Sequence, residues 1–136
     1  MDFDLGSLTK KMIKEPGAQA DALNKMASGL NFKLPGDYLE FMEISNGGEG
    51  FIGENSYLSL WKIENLVDWN NKYDVHTYAP GYFIFASDGG GTAYAFSKTN
   101  SFIYHIEKIS IDHSLIYDQG RSFESAYMNI VKQIIF

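Results

Sequence analysis

The sequence predicts an α+β domain: a single antiparallel sheet of about five or six strands, flanked by N-terminal helices and a C-terminal helix. Three observations carry that expectation. Helical apolar stripes stand near both ends of the chain, and short apolar runs separated by tight turn signals fill the middle. The aromatic load is heavy, with 10 Phe, 9 Tyr and 2 Trp, which favours strands and contact surfaces. At 136 residues the chain suits one domain, read over 1–136. Residues 1–16 are a candidate loose segment, because Glu15-Pro16 followed by Gly17 breaks any helix begun at Leu5.

The first helix is expected over about Ala18–Ser28. Ala20, Leu23, Ala27 and Leu30 fall on one stripe with Met26 at its edge, and Gly29 supplies the stop. The second starts at Pro35, where a missing N–H costs nothing in the first turn. Asp37 and Glu40 suit its dipole, Tyr38, Leu39, Phe41 and Met42 face inward, and Asn46-Gly47-Gly48 ends it. A hairpin fits Gly50–Ile52 and Tyr57–Trp61, joined by Gly53-Glu54-Asn55-Ser56. Ile63–Asn71 reads as a short helix carrying Leu66, Val67 and Trp69, and Lys72–Gly81 as loop. Three strands follow, Tyr82–Ala86, Ala93–Phe96 and Phe102–Ile106, with links short enough to require antiparallel neighbours. A further strand is expected near Leu115–Tyr117. The last helix starts at Ser122, a good cap, and its stripe is Phe123, Ala126, Tyr127, Ile130, Val131 and Ile134. With helices on one face of the sheet, Tyr82, Tyr94 and Tyr104 are expected to show aromatic surface on the other.

Cysteine is absent, which removes disulfides, thiolate metal sites and a cysteine nucleophile. The longest apolar run, Tyr82–Ala86, is far shorter than the roughly 20 residues of a membrane helix, and the start lacks the apolar segment of a secretory signal. A soluble cytoplasmic protein is the expectation. The formal net charge is −6, which disfavours direct nucleic-acid binding. From Leu34 to Trp61 there are acids at Asp37, Glu40, Glu43, Glu49 and Glu54 and no base. Gathered on one surface, they would steer a basic partner.

No catalytic set, metal site or cofactor motif stands out. His76, His105 and His113 lack the three- or four-residue spacing of a helical metal site. Asp112-His113-Ser114 fails as a triad, because in an extended segment His113 points away from its neighbours. Ser87-Asp88-Gly89-Gly90-Gly91 leads into a strand and has no following Lys, so it reads as a wide turn and not as a phosphate loop. Its glycines keep the backbone bare for a partner. Glu40 and Glu43 sit on a predicted exposed helical face, without the desolvation that a general acid needs. Trp69, followed by Asn70-Asn71, is the better of the two tryptophans for a contact surface.

Several stretches, in order, resemble the SUKH superfamily, which includes the yeast cell-wall assembly and glucan-synthesis regulators and many bacterial immunity proteins. They are Leu34-Pro35-Gly36-Asp37-Tyr38-Leu39-Glu40-Phe41 with Ser45-Asn46-Gly47-Gly48; Leu60-Trp61-Lys62-Ile63-Glu64-Asn65-Leu66 with Asn70 and Tyr73; Pro80-Gly81-Tyr82-Phe83-Ile84-Phe85, then Asp88–Gly91 and Ala93-Tyr94-Ala95-Phe96; and Ser122-Phe123. The resemblance spans about Ala18 to Val131. One departure is Ser97, where the family often carries an acid; Asp88 is the nearest substitute in the chain. The resemblance implies a non-enzymatic binding module without cofactor. In bacteria, such a module covers a toxin, often a nuclease whose cleft is basic. The expected contact residues are Asp37, Glu40, Glu49, Glu54, Trp69, Asp88, Gly89, Gly90 and Tyr94, acting as a monomer or weak dimer. The alternatives are a regulatory or scaffold module of the yeast type and a small-ligand or hydrolytic domain.

Overall fold

The computed structural model describes residues 11–52 and 56–132, with the backbone alone for residues 11–14. The chain runs β1 (Lys11–Lys14), α1 (Ala20–Ser28), α2 (Gly36–Ile44), β2 (Gly48–Ile52) and β3 (Ser56–Leu60). A 3-10 turn (Ile63–Asn65) leads into α3 (Leu66–Lys72) and α4 (Val75–Tyr78). Then come β4 (Tyr82–Ser87), β5 (Thr92–Ser97), β6 (Ile103–Ser110), β7 (His113–Gly120) and α5 (Phe123–Val131). The strands form one seven-stranded sheet in sequence order, each antiparallel to the next. The architecture is therefore the α+β sheet that the sequence predicts, widened by one edge strand. Lys11–Lys14 pairs with Gly48–Phe51, where the sequence offers only short-range cues for a loose end.

Helices α1, α2 and α5 bury one face of the sheet. Leu23, Tyr38, Phe41, Met42, Phe123, Ala126, Tyr127 and Ile130 meet Ile52, Leu58, Phe85 and Phe96 in one apolar cluster. Phe85 and Phe96 stack with centroids 4.2 Å apart. Tyr38 stands edge-on to both and to Phe123, at 4.9–5.4 Å, the geometry that ring quadrupoles prefer. Burial raises the Tyr38 phenol pKa far above its ordinary value, so the ring enters the core neutral.

Two polar devices hold the ends of this layer. Asp37, in the first turn of α2, accepts the backbone N–H of Phe123 on Oδ1 at 3.2 Å and that of Glu124 on Oδ2 at 2.9 Å. Its carboxylate thus satisfies the open donors at the start of α5 and complements that helix's dipole. Ser122 caps the same helix as predicted, accepting the Ser125 N–H while the Ser125 hydroxyl accepts the Ser122 N–H.

The sheet parts between β3 and β4, which share only the pairs Ser59↔Ser87 and Leu60↔Ala86. Beyond them the chain climbs out of the sheet into α3, and the buried side chain of Asn70 takes over the pairing. Its amide nitrogen donates to the Ile84 carbonyl at 2.8 Å, and its oxygen accepts the Ile84 N–H at 2.8 Å. A third bond ties the amide to the Leu66 carbonyl. An amide carries one acceptor and two donors, so it can replace one peptide of a neighbouring strand.

Two expectations are corrected here. The segment expected to be loop, Lys72–Gly81, contains α4, because Val75, Tyr78 and Ala79 bury against Ile84, Ala95 and Ile106. Tertiary burial overrides a short segment's weak propensity. Consequently helices touch both faces of the sheet. Of the three tyrosines, Tyr82 and Tyr104 pair edge-to-face on the α4 side, but Tyr94 joins the α1–α2–α5 core and is only 7% exposed. A register shift between Ile84 and Ala86 interrupts the alternation, so Ala86 joins Phe83 and Phe85 on the side of that core. Ile134, the end of the predicted C-terminal stripe, lies outside the described residues.

Candidate functional site

The sheet face away from α1, α2 and α5 carries an aromatic cluster and two depressions. On β2 and β3 the buried residues Ile52, Leu58 and Leu60 point to the main core, so Glu49, Phe51, Tyr57 and Ser59 point the other way. Phe51 and Tyr57 meet edge-to-face with centroids 5.4 Å apart. The Tyr57 hydroxyl donates to Glu49 Oε2 at 2.9 Å, and this bond to a carboxylate raises the phenol's pKa.

Where β3 leaves the sheet, Trp61 and Trp69 pack edge-to-face at 5.0 Å, with Tyr73 tilted beside Trp61 at 6.1 Å. The tryptophan pair forms a ridge between two depressions. One, about 350 Å³, is lined by Glu15, Glu49, Ser59, Lys62, Asn65 and both tryptophans. The other, about 500 Å³, runs from Trp61, Trp69, Tyr73 and Tyr78 to Ser87, the Gly90-Gly91 turn, Ala93 and Lys108. The Lys108 ammonium lies 4.8 Å from the Tyr78 ring centroid, within cation–π range.

The turn beside this cleft is built by Asp88, whose Oδ1 accepts the N–H of Gly90 at 2.8 Å and of Thr92 at 3.2 Å. Gly89 adopts φ +83°, and a Cβ there would fall 2.9 Å from the Tyr57 ring. Only glycine meets both demands. Gly90 and Gly91 are exposed and line the cleft.

The predicted contact residues therefore separate. Trp69, Gly90 and, across the ridge, Glu49 come together, with Gly89 beside them. Asp37 is committed to the start of α5. Glu40 and Glu43 lie on α2, in the helical layer, whereas Glu49 points from the opposite sheet face. Glu54 lies outside the described residues. The described acids between Leu34 and Trp61 thus do not form one surface, because the chain crosses from a helix to the far side of the sheet within that stretch. Asp88 spends its carboxylate on its own turn. Tyr94 is buried, and its phenol pKa is pushed up to about 12, first by burial and then by the Asp88 charge. Ser97 is buried at the end of β5 remote from the Asp88 turn, about 17 Å along the strand. Asp88 is therefore no spatial substitute for an acid there.

Trp61, Tyr73, Tyr78 and Lys108 join Trp69 at the site, and residue type alone does not single them out. The signal was partly available: aromatics at 61, 69, 73 and 78 flank a segment that leaves the sheet. Lys108 comes from a distant strand and only folding brings it in. The rejected triad does not form. Asp112 accepts the Ser110 hydroxyl, and the Ser114 hydroxyl donates to the Tyr78 carbonyl. Among the described residues no group of three or more His, Asp or Glu converges as metal ligands, and no helix is long and apolar enough to cross a membrane.

Fold and surface together define a small α+β domain with a meander sheet and a shallow, aromatic-walled cleft beside a glycine turn. Residues 17–126 match the model of the SMI1 / KNR4 family (SUKH-1). The chain belongs to that family. A search of curated proteins returned no match.

Proposed function

We infer that this protein is a non-enzymatic protein-binding module of the immunity type, which neutralises a toxin by covering it with the Trp61–Trp69 surface. The observation that carries this reading is the pair of grooves meeting at a tryptophan ridge on a sheet face that helices cover only in part. Tryptophan and tyrosine are the side chains from which interface hot spots are most often built. A bare glycine turn allows a partner's backbone to approach closely. Glu49, with Glu15 in the same groove, supplies the acidic edge that a basic toxin, such as a nuclease with a phosphate-binding cleft, would meet. That acidic contribution is local to one groove and does not extend over the whole Leu34–Trp61 stretch.

The test is protection in cells. The chain is co-expressed with the toxin domain encoded beside it in its native genome, and growth is followed. Wild type is expected to restore growth, and Trp69→Ala with an unchanged circular dichroism spectrum is expected to fail. A Trp69→Ala chain that protects as well as wild type would remove the ridge from the interface. Failure of the wild type, together with stable association with several endogenous proteins, would favour the regulatory-scaffold reading.

A further inference from the structure

The two grooves differ in sign. The smaller one holds the carboxylates of Glu15 and Glu49 and the ammonium of Lys62, which stands 3.9 Å from Glu15. Among the described residues no carboxylate lines the larger one and Lys108 is its one charged residue; the Asp88 carboxylate lies behind the turn, bonded to the Gly90 and Thr92 N–H groups. This is unexpected on a chain with 17 Asp and Glu against 11 Lys and Arg. Asp74 is close enough to contribute to the raised pKa of Tyr78, after burial, but it is not among the residues lining the cleft. Lys108 forms no ion pair among the described residues and rests over the Tyr78 ring. The remaining polar side chains are the hydroxyls of Ser87, Thr92, Tyr73 and Tyr78, which both donate and accept, and the two indoles. The Trp61 and Trp69 indole N–H groups are open to solvent and have no hydrogen-bond partner among the described residues, and an indole can only donate. The rest of the described wall is Tyr73, Tyr78, Ile84 and Ala93, with Ser87, Gly90, Gly91 and Thr92 at the turn.

We propose that the larger groove is the docking pocket for a partner segment that presents an aromatic or branched aliphatic side chain beside a carboxylate. The apolar side chain fills the space between the tryptophans and Tyr78, and the carboxylate meets Lys108 and an indole N–H. Charge complementarity selects this occupant: a basic side chain would face Lys108 with no carboxylate among the described lining residues to offset it. The second groove continues across the Trp61–Trp69 ridge, which suits an extended segment and not a compact ligand. Its carboxylates place the partner's basic residues on that far side. The pocket is thus read by a sequence of alternating sign, acid and apolar group first, base beyond the ridge. This inference rests on the protein-binding reading above and specifies the chemistry of its partner.

The chain contains two tryptophans and both line the pocket, so their fluorescence reports on it directly. The full chain is titrated with N-acetyl-Phe-Asp-amide and, separately, with N-acetyl-Phe-Lys-amide. The acidic dipeptide is expected to change the fluorescence with millimolar affinity, about fivefold tighter than the basic one, as one solvent-exposed charge pair allows. Lys108→Gln, with an unchanged circular dichroism spectrum, is expected to abolish the difference while retaining the response. Equal affinities for wild type, preference for the basic dipeptide, a preference that survives Lys108→Gln, or no response to either probe would each overturn the proposal. The protection assay is independent of these outcomes. A chain that protects cells yet shows no acidic preference keeps its protein-binding function and loses this pocket chemistry.

Discussion

The two faces of the sheet solve opposite problems with the same kind of side chain. On the α1–α2–α5 side, Tyr38, Phe41, Phe85, Phe96, Phe123 and Tyr127 interlock until little ring surface remains in water. On the other side, Trp61, Trp69 and Tyr73 touch one another but stop short of closing, and Tyr73 remains 50% exposed. The first arrangement gains stability from apolar burial and dispersion. The second leaves part of that gain unrealised, available to whatever covers it. Aromatic content alone therefore says little about role, and the degree of closure decides it.

That contrast can be broken from the core side. Phe96→Ala should cost about 3–5 kcal/mol, since the stacked Phe85 and the edge of Tyr38 lose their partner. Urea unfolding with an unchanged slope measures it, and a loss near 1 kcal/mol would mean that the core is looser than its ring geometry indicates. Asn70→Ala tests the seam between the faces. It strips the Ile84 N–H and carbonyl of their partners and should cost about 2–3 kcal/mol; Asn70→Asp, which keeps the acceptor and loses the donors, should also destabilise. Fast amide exchange at Ile84 would mark the same loss. Asp37→Ala should cost about 1–2 kcal/mol by leaving the α5 start uncapped, with Asp37→Asn recovering part of it. If Asp37→Ala instead leaves the urea midpoint unchanged and weakens toxin binding, the residue belongs to the interface after all. Tyr73→Ala should shift stability by less than about 0.5 kcal/mol, as exposed positions do, while weakening partner binding in a direct titration. A large stability loss there would erase the distinction between the faces.

Much of the fold was legible because it is locally encoded. The Phe123–Ile130 stripe with Ser122, the start of α2 after Pro35 and the three closely linked strands each declare themselves within a dozen residues; the end of α2 does so less well, since the helix stops at Ile44 with Ser45 extended, before Asn46-Gly47-Gly48. β1 did not, because Lys11–Lys14 becomes a strand only by pairing with β2, some 35 residues away. Nor did α4, whose short length leaves sheet burial to decide its state. The site divides in the same way. Trp69 and the glycine turn could be read from residue type, whereas the sorting of Glu40 from Glu49 depended on which layer each element joined. Asp37 misled for a related reason: an acid in the first turn of its own helix is a familiar local signal, and here the carboxylate also serves a helix 86 residues further on.

The side chain of Asn70 has a consequence for the neighbour it precedes. Three bonds from one amide fasten that position of α3 to both its own helix and the backbone of β4. Trp69 is thereby mounted on a clamped support, and its backbone has little freedom left to lose when a partner arrives. Ordering costs that usually erode the affinity of loop-borne contacts are largely met during folding. On the proposed reading, in which this surface covers a toxin, such advance rigidity favours slow escape over merely frequent encounter.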